Sequence, residues 1–209
     1  MRRRWGLFRL FDLCVAHWPV FRRRQGLMVV RMDGIGDMVL FRAALDHYAE
    51  VFGVDQSEIT VVGCHSWRRV ADQLFAGYAV FTIDEHKFAR HPFYRFWVGL
   101  KVRRIAAETV VSDAYFRRAL MADSLVWMSG AATKIVSLPF ISERTRPEFT
   151  YYLSLVDQII DTGVYPAHEI DRHFKFISTI AGRPIVARSP SLTWRNQAPE
   201  LAAGAPYIV

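Results

Sequence analysis

The fold is decided at Leu27-Met-Val-Val-Arg-Met-Asp-Gly-Ile-Gly-Asp37, where an apolar run leads directly into a loop with two glycines. Residues 27–31 are mostly apolar and partly β-branched, which is typical of a strand buried on both faces of a sheet. Residues 37–52 then place apolar side chains at helical spacing. A strand, a short loop and a helix in this order predict the first unit of a Rossmann-like sheet.

The same alternation continues outward from this unit. Further strands are predicted at residues 59–62, 79–83, 109–112 and 133–136. Further helices are predicted at residues 66–76, 93–107, 115–129, 148–162 and 167–181. Strands alternating with helices predict an α/β fold with a parallel sheet covered on both faces. Ligands of such sheets bind beyond the carboxyl ends of the strands, so we expect loops 32–37, 63–68 and 113–118 on the functional rim.

The composition indicates an anionic partner. The chain has 209 residues, is 52% hydrophobic and has a formal net charge of +7. The partner could be a nucleic acid, a phosphate-bearing ligand or an acidic membrane. No nucleic-acid-binding module is recognised in the sequence, so we expect no nucleic acid to bind. The two cysteines lie in unrelated contexts, which predicts a reducing, cytoplasmic setting. The histidines lack the spacing of metal ligands, so we expect no metal site.

Residues 1–24 predict a basic amphipathic helix. Two arginine triplets bracket an apolar stretch that is too short to cross a bilayer, and on a helix Arg9, Asp12 and His17 face away from the apolar side. This pattern favours a helix lying in a membrane interface. The predicted membrane contacts are Arg2, Arg3, Arg4, Phe8, Phe11, Trp18, Arg22, Arg23 and Arg24. Two alternatives stay open: a helix packed on the domain itself, and a disordered targeting arm.

The chain divides into three predicted regions. Residues 1–24 form the N-terminal helix, and residues 25–181 form the Rossmann-like domain. Residues 182–209 contain four prolines and read as a linker that ends at the start of a new strand, Tyr207-Ile-Val209. We therefore expect a further domain beyond this chain.

The glycine loop excludes two common nucleotide-binding motifs. Val39 stands where the dinucleotide fingerprint has its third glycine, and no Gly-Lys-Ser/Thr follows as in a P-loop. Gly34 and Gly36 allow backbone conformations that are closed to other residues, and they let a ligand come close. Asp37, in the first helical turn, could accept a proton from a substrate hydroxyl. The alternative is that Asp37 only stabilises its helix, with Asp33 a turn residue.

The segment Val30-Arg-Met-Asp-Gly-Ile-Gly-Asp-Met-Val-Leu40 resembles glycosyltransferase family nine, the ADP-heptose:lipopolysaccharide heptosyltransferases. Weaker similarity follows in order at Ile59-Thr-Val-Val-Gly63, at 115–135, and at His168-Glu-Ile-Asp-Arg-His-Phe-Lys-Phe-Ile177. The resemblance covers residues 25–180. It implies the first domain of a GT-B fold, which binds a lipid-linked sugar acceptor, while a second domain binds the nucleotide-sugar donor.

The resemblance also implies roles for the loop. Asp37 would be the general base for direct attack on the anomeric carbon with inversion, and Arg31, Asp33, Gly34, Ile35 and Gly36 would shape the acceptor or phosphate side. The donor, ADP-heptose or a related nucleotide sugar, would be bound by the missing half, and no other cofactor is implied. The acceptor would be an anionic, lipopolysaccharide-type lipid at the inner face of the bacterial cytoplasmic membrane.

Other residues on the predicted rim are weaker candidates. His65 could hold a sugar or phosphate, or could simply begin a surface helix. Asp113, Arg117 and Arg118 follow the fourth strand, and arginines there suit phosphate groups. The aromatic stretch 91–98 is expected to pack into the core, with a second membrane contact as the alternative. A truncated, non-catalytic homologue that binds membrane or ligand remains the alternative function.

Overall fold

The protein is represented by a computed structural model, in which residues 2–190 are described, with their side chains from residue 6 onward. The side chains of Arg2, Arg3 and Arg4, and the strand predicted at 207–209, lie outside this description. Six strands form one fully parallel sheet in the order β3-β2-β1-β4-β5-β6. They are β1 (Leu27–Arg31), β2 (Ile59–Cys64), β3 (Ala79–Ile83), β4 (Thr109–Ser112), β5 (Thr133–Ser137) and β6 (Gln158–Ile160). The predicted Rossmann-like parallel sheet is therefore confirmed.

Helices cover both faces of this sheet. Within the described residues they are α1 (Arg2–Ala16), α2 (Ile35–Leu45), α3 (Tyr48–Phe52), α4 (Ala71–Leu74), α5 (Glu85–Arg90), α6 (Pro92–Ile105), α7 (Ser124–Ser129), α8 (Arg146–Leu153) and α9 (Glu169–Ala181). Short 3-10 turns occupy Gln56–Glu58 and His65–Val70, and a π-helical turn, Ala119–Asp123, leads into α7.

Strand β1 is the centre of the core, and all five of its residues are buried. Its side chains alternate between the two faces, as the period of a strand requires. Leu27 and Val29 pack into a cluster with α2 and α9, whereas Met28 and Val30 pack into a second cluster with α6 and α7. This double burial explains why the strand is a nearly continuous apolar run.

The predicted helices differ from the structure mainly at their boundaries. The helix predicted at 148–162 is wrong in its second half, because residues 158–160 form β6 and pair with β5. A three-residue strand carries too short a pattern to be distinguished from the end of a helix. The predicted helix end at Gly130 is confirmed: this residue has φ +58°, and the Arg103 guanidinium fills the space that a Cβ would need.

Helix α1 packs on the domain through the buried carboxylate of Asp12. Asp12 is fully buried and accepts two hydrogen bonds of 2.7 Å from Arg95 and one of 2.8 Å from Tyr152. The prediction that Asp12 faces away from the apolar side of the helix is wrong, because Asp12 lies on the packed side with Phe8 and Val15. Arg95 and Tyr152 supply the partners that a buried carboxylate requires. The predicted membrane contact of Phe8 is also wrong, since its side chain is buried against the Arg95 guanidinium. Within the described residues, no helix is both long and apolar enough to cross a bilayer.

Candidate functional site

A cleft of about 810 Å³ opens at the carboxyl ends of the strands. The chain leaves β1 toward β2 and β3 and then returns to β4 on the other side of β1, so the cleft lies where the strand order changes direction. Parallel sheets bind ligands at this position. The lining includes Met32, Asp33, Gly34 and Asp37 after β1, Cys64 and Ser66 after β2, Glu85, His86, Ala89 and Arg90 of α5, and Phe116, Arg117 and Arg118 after β4.

The loop after β1 presents an open helix N-terminus to this cleft. Gly34 caps α2 with an ordinary extended backbone (φ −72°), and its carbonyl accepts from the N–H of Met38 at 3.2 Å. The N–H groups of the first helical turn have no acceptor within the helix. Neither Gly34 nor Gly36 has a positive φ, so neither uses the backbone freedom that glycine allows. A Cβ at either position would meet no protein atom within 4 Å.

Replacing Gly36 with alanine should therefore separate folding from ligand binding. The added methyl group enters open space on a helix, so the free energy of unfolding should stay unchanged or rise by up to about 1 kcal/mol. A ligand that approaches the backbone should bind the variant more weakly. Chemical denaturation and calorimetric titration with the ligand measure the two effects. Equal ligand affinity for both proteins would show that no ligand touches this backbone.

Arg31 lies beneath the loop and does not reach the cleft. Its side chain is 1% exposed, donates to Asp113 at 2.5 Å, and lies 2.7 Å from Asp33 and 4.7 Å from the centre of the Phe41 ring. This burial leaves Arg31 no surface for the direct substrate contact that its predicted role on the acceptor or phosphate side requires. Arg31 instead links the end of β1 to the end of β4.

Asp113 is the second member of this buried network. It is fully buried, lies 2.9 Å from Nδ1 of His173 on α9 and accepts from the Tyr48 hydroxyl at 3.3 Å. Burial works against its ionisation, but Arg31 and His173 outweigh it and hold the pKa of Asp113 well below its usual range. The predicted direct contact of Asp113 with substrate does not fit this burial. Asp113 positions the loop and α9 from below.

The carboxylates above the network differ in their surroundings. Asp33 is largely buried, and this burial, together with Asp113 and Asp37, raises its pKa although Arg31 opposes the shift. Its Oδ2 faces Arg31 as an ion pair without aligned hydrogen-bond geometry. Half-buried Glu169 at the start of α9 also has a raised pKa, caused mainly by burial. Asp37 is exposed on the cleft wall and is thus the carboxylate of the loop that a substrate hydroxyl can reach.

The two arginines after β4 have different roles. The Arg117 side chain is 1% exposed and donates to Asp123, to Ser137 and to the carbonyl oxygen of Ala114. These bonds occupy its guanidinium, so its predicted substrate contact does not fit. Arg118 is exposed in the cleft and forms no ion pair with any other residue in the described part of the chain.

His65 is exposed in a 3-10 turn and does not line the cleft, whereas its neighbour Ser66 does.

Several residues of the site carry no signal in the sequence. Glu85 and His86 enter the cleft on α5, a six-residue helix whose pattern is too short to predict. His173 belongs to a segment that bears a family-like motif, but its contact with Asp113 joins residues far apart in the chain. Cys64 lines the cleft as well, and burial raises the pKa of its thiol to about 12, so it stays protonated at neutral pH.

Comparison with models of protein families, with curated proteins and with solved structures found no match to this chain. Within the described residues, no group of three or more His, Cys, Asp or Glu side chains is arranged to hold a metal ion. Function is therefore inferred from the residues of the cleft and from its place in the sheet.

Proposed function

We propose that this chain is the acceptor-side half of an inverting GT-B glycosyltransferase, with Asp37 as its general base. The proposal rests above all on one observation: Asp37 is exposed on the wall of a cleft at the switch point of the sheet. The buried network below the loop leaves Asp37 free to meet a ligand. The resemblance of the loop to heptosyltransferases agrees with this arrangement.

In the proposed reaction, an acceptor hydroxyl gives its proton to the Asp37 carboxylate. The hydroxyl oxygen then forms a bond to the anomeric carbon of the donor sugar. The bond from that carbon to the nucleoside diphosphate breaks, and the diphosphate leaves with the electron pair. Because attack and departure occur on opposite faces, the anomeric configuration inverts. Proton transfer to a positioned carboxylate contributes about 100- to 10,000-fold to such reactions.

The donor and acceptor follow from the same proposal. The donor is ADP-heptose or a related nucleotide sugar, bound by a second domain across the cleft. The acceptor is an anionic, lipid-linked saccharide of the lipopolysaccharide type, at the cytoplasmic face of the bacterial membrane. Arg118 supports an anionic acceptor, because an exposed guanidinium in a cleft suits bidentate contact with a phosphate group.

Replacing Arg118 with glutamine tests this contact. Charge-assisted hydrogen bonds to phosphate are strong, so we expect about tenfold weaker binding of a phosphorylated lipid A–core acceptor. Stability should not change, because the side chain is exposed. Arg117→Gln should instead lower the free energy of unfolding, since that guanidinium is buried and paired. Binding of detergent-solubilised acceptor by calorimetry, with melting curves for both variants, checks the pair. Equal acceptor affinity for wild type and Arg118→Gln would remove Arg118 from the site.

The rival function is a non-catalytic domain that binds membrane or ligand through the same surfaces. The coding sequence after Val209 separates the two functions directly. A reading frame that continues into a donor-binding half supports the transferase, and a stop codon at that point supports the rival.

A further inference from the structure

Helix α1 docks with its leucines outward. The side held against the domain carries Phe8, Asp12 and Val15, all buried. The opposite side carries Leu7, Leu10 and Leu13, which are 48%, 61% and 45% exposed. The bidentate ion pair between Asp12 and Arg95 sets this orientation, because turning the leucines inward would pull a buried charge pair apart.

Helix α6 extends this apolar surface. Phe93 is 81% and Trp97 is 48% exposed, although both belong to the helix that packs beside α1. The two helices meet through aromatic side chains: the Phe11 ring lies 6.4 Å from Phe93, and the Trp18 ring lies 6.0 Å from Phe96. We name the surface the α1–α6 face. Its exposed apolar members are Leu7, Leu10, Leu13, Trp18, Phe93 and Trp97.

The segments that supply this face are rich in basic residues. Residues 1–25 and 90–107 contain 12 of the 27 Lys and Arg residues but only 1 of the 20 Asp and Glu residues. That acid is Asp12, which is buried against Arg95. The rest of the chain therefore has 15 basic and 19 acidic residues. The segments that contain α1 and α6 are therefore strongly basic in sequence, whereas the rest of the chain is slightly acidic, so an anionic surface is the complementary partner.

A basic cavity of about 360 Å³ adjoins the C-terminal end of α1. His17, Arg24, Arg103 and Lys134 line it, and no acidic residue does. The Arg103 side chain is held by a 3.0 Å hydrogen bond to the carbonyl of Trp18, and burial and the nearby Arg24 lower its pKa. Two guanidinium groups in one cavity repel each other unless an anion lies between them. The cavity therefore suits the phosphate of a lipid headgroup.

We propose that the α1–α6 face docks on an anionic phospholipid bilayer, with its leucines and aromatic rings at the acyl boundary and a headgroup phosphate in the basic cavity. This arrangement combines apolar burial with attraction to anionic lipid, the two forces that hold interfacial helices on membranes. It differs from a free N-terminal arm, because α6 supplies Phe93 and Trp97 to the contact and the buried face of α1 stays on the domain.

One end of the α1–α6 face also adjoins the cleft. Ala89 and Arg90 at the end of α5 line the cleft, and Phe93 lies just after them, near the start of α6. A lipid-linked acceptor held in the bilayer would approach the cleft from this end of the face. This consequence rests on the proposed function. The docking itself does not, because vesicle binding needs no transferase activity.

Co-sedimentation with vesicles tests the docking. The wild-type chain should bind vesicles of equal parts phosphatidylglycerol and phosphatidylcholine, and bind pure phosphatidylcholine much more weakly. Phe93→Asp should weaken binding to the anionic vesicles by about tenfold or more, and Arg24→Gln by about fivefold. The matched controls are Val164→Asp and Arg188→Gln, exposed residues outside α1 and α6, which should bind like wild type.

Three results would overturn the proposal. The first is wild-type binding by the Phe93→Asp variant. The second is a loss of vesicle binding in Val164→Asp equal to that in Phe93→Asp, which would mean that an added charge at any surface position abolishes binding. The third is the absence of vesicle binding by wild type, together with a concentration-dependent dimer in analytical ultracentrifugation that the Phe93→Asp substitution dissociates. This result would assign the face to a second copy of the chain. Vesicle binding without sugar transfer would leave the docking intact and count against the transferase alone.

Discussion

Replacing Asp37 with asparagine is expected to reduce sugar transfer by about 100- to 10,000-fold, the contribution of a positioned general base. Asparagine keeps the size of the side chain and its place in the first turn of α2, but it cannot accept the proton of the acceptor hydroxyl. The loss should therefore appear in kcat, with little change in KM. Because Asp37 is exposed and at a helix end, the free energy of unfolding should change by less than about 1 kcal/mol.

Two carboxylates of the same helix and loop provide controls for this prediction. Asp46 at the other end of α2 is exposed and pairs with Arg42, so Asp46→Asn should leave transfer unchanged. Asp33 lines the cleft but is held by Arg31, so Asp33→Asn should alter the loop more than the proton transfer. If Asp33→Asn removed activity through kcat while Asp37→Asn retained it, Asp33 would be the base and the assignment of Asp37 would fail.

Replacing Asp113 with alanine is expected to lower the free energy of unfolding by about 3–5 kcal/mol, because the buried Arg31 guanidinium loses the carboxylate to which it donates and keeps Asp33 only as an unaligned ion-pair partner. The effect should also reach α9, since Asp113 joins His173 and Tyr48 to the same centre. Urea denaturation measures the loss. The exposed pair of Arg42 and Asp46 gives the comparison: Asp46→Ala should cost less than about 0.5 kcal/mol. Similar losses in the two variants would contradict the role given to the buried network.

The same network predicts a dependence of stability on pH. The pKa of Asp113 is lower in the folded protein than in the unfolded chain, so its ionised form stabilises the fold. That contribution should be complete above about pH 4, the pKa of an unfolded aspartate, and should be lost as the pH falls toward the folded pKa. Wild type should therefore lose stability below this pH more steeply than Asp113→Asn. Parallel acid titrations of both proteins, followed by circular dichroism, measure the difference.

The sheet could be predicted from the sequence because its central strands are buried on both faces. Each of β1, β2, β4 and β5 is a short apolar run bounded by turns or helices, and this pattern depends on neighbouring residues alone. The three-residue β6 could not be predicted, since its pairing with β5 is a tertiary contact. The orientation of α1 could not be predicted either. Asp12 faces the core only because Arg95, 83 positions further along the chain, supplies a buried partner.

The rim of the site was predictable, but the roles of its charged residues were not. The alternation of strands and helices predicts which loops meet at the carboxyl ends, and the cleft does lie there. A sequence does not show whether a charged side chain at a strand end turns toward ligand or toward the core. Arg31, Asp113 and Arg117 turn toward buried partners, while Asp37 and Arg118 remain exposed. Those partners come from distant elements, so sequence spacing carries no signal for them.

The most direct measurement of the proposed function is the anomeric configuration of the product formed by the wild-type protein. The protein used would be the chain with any residues that its reading frame adds after Val209. It would be incubated with ADP-heptose and lipid A–core acceptor, and the product would be analysed by nuclear magnetic resonance. Direct attack by the deprotonated acceptor hydroxyl predicts a new glycosidic bond with the configuration opposite to that of the donor. A product that retains the donor configuration, or no sugar transfer by a protein that binds both substrates, would contradict the proposed role of the cleft.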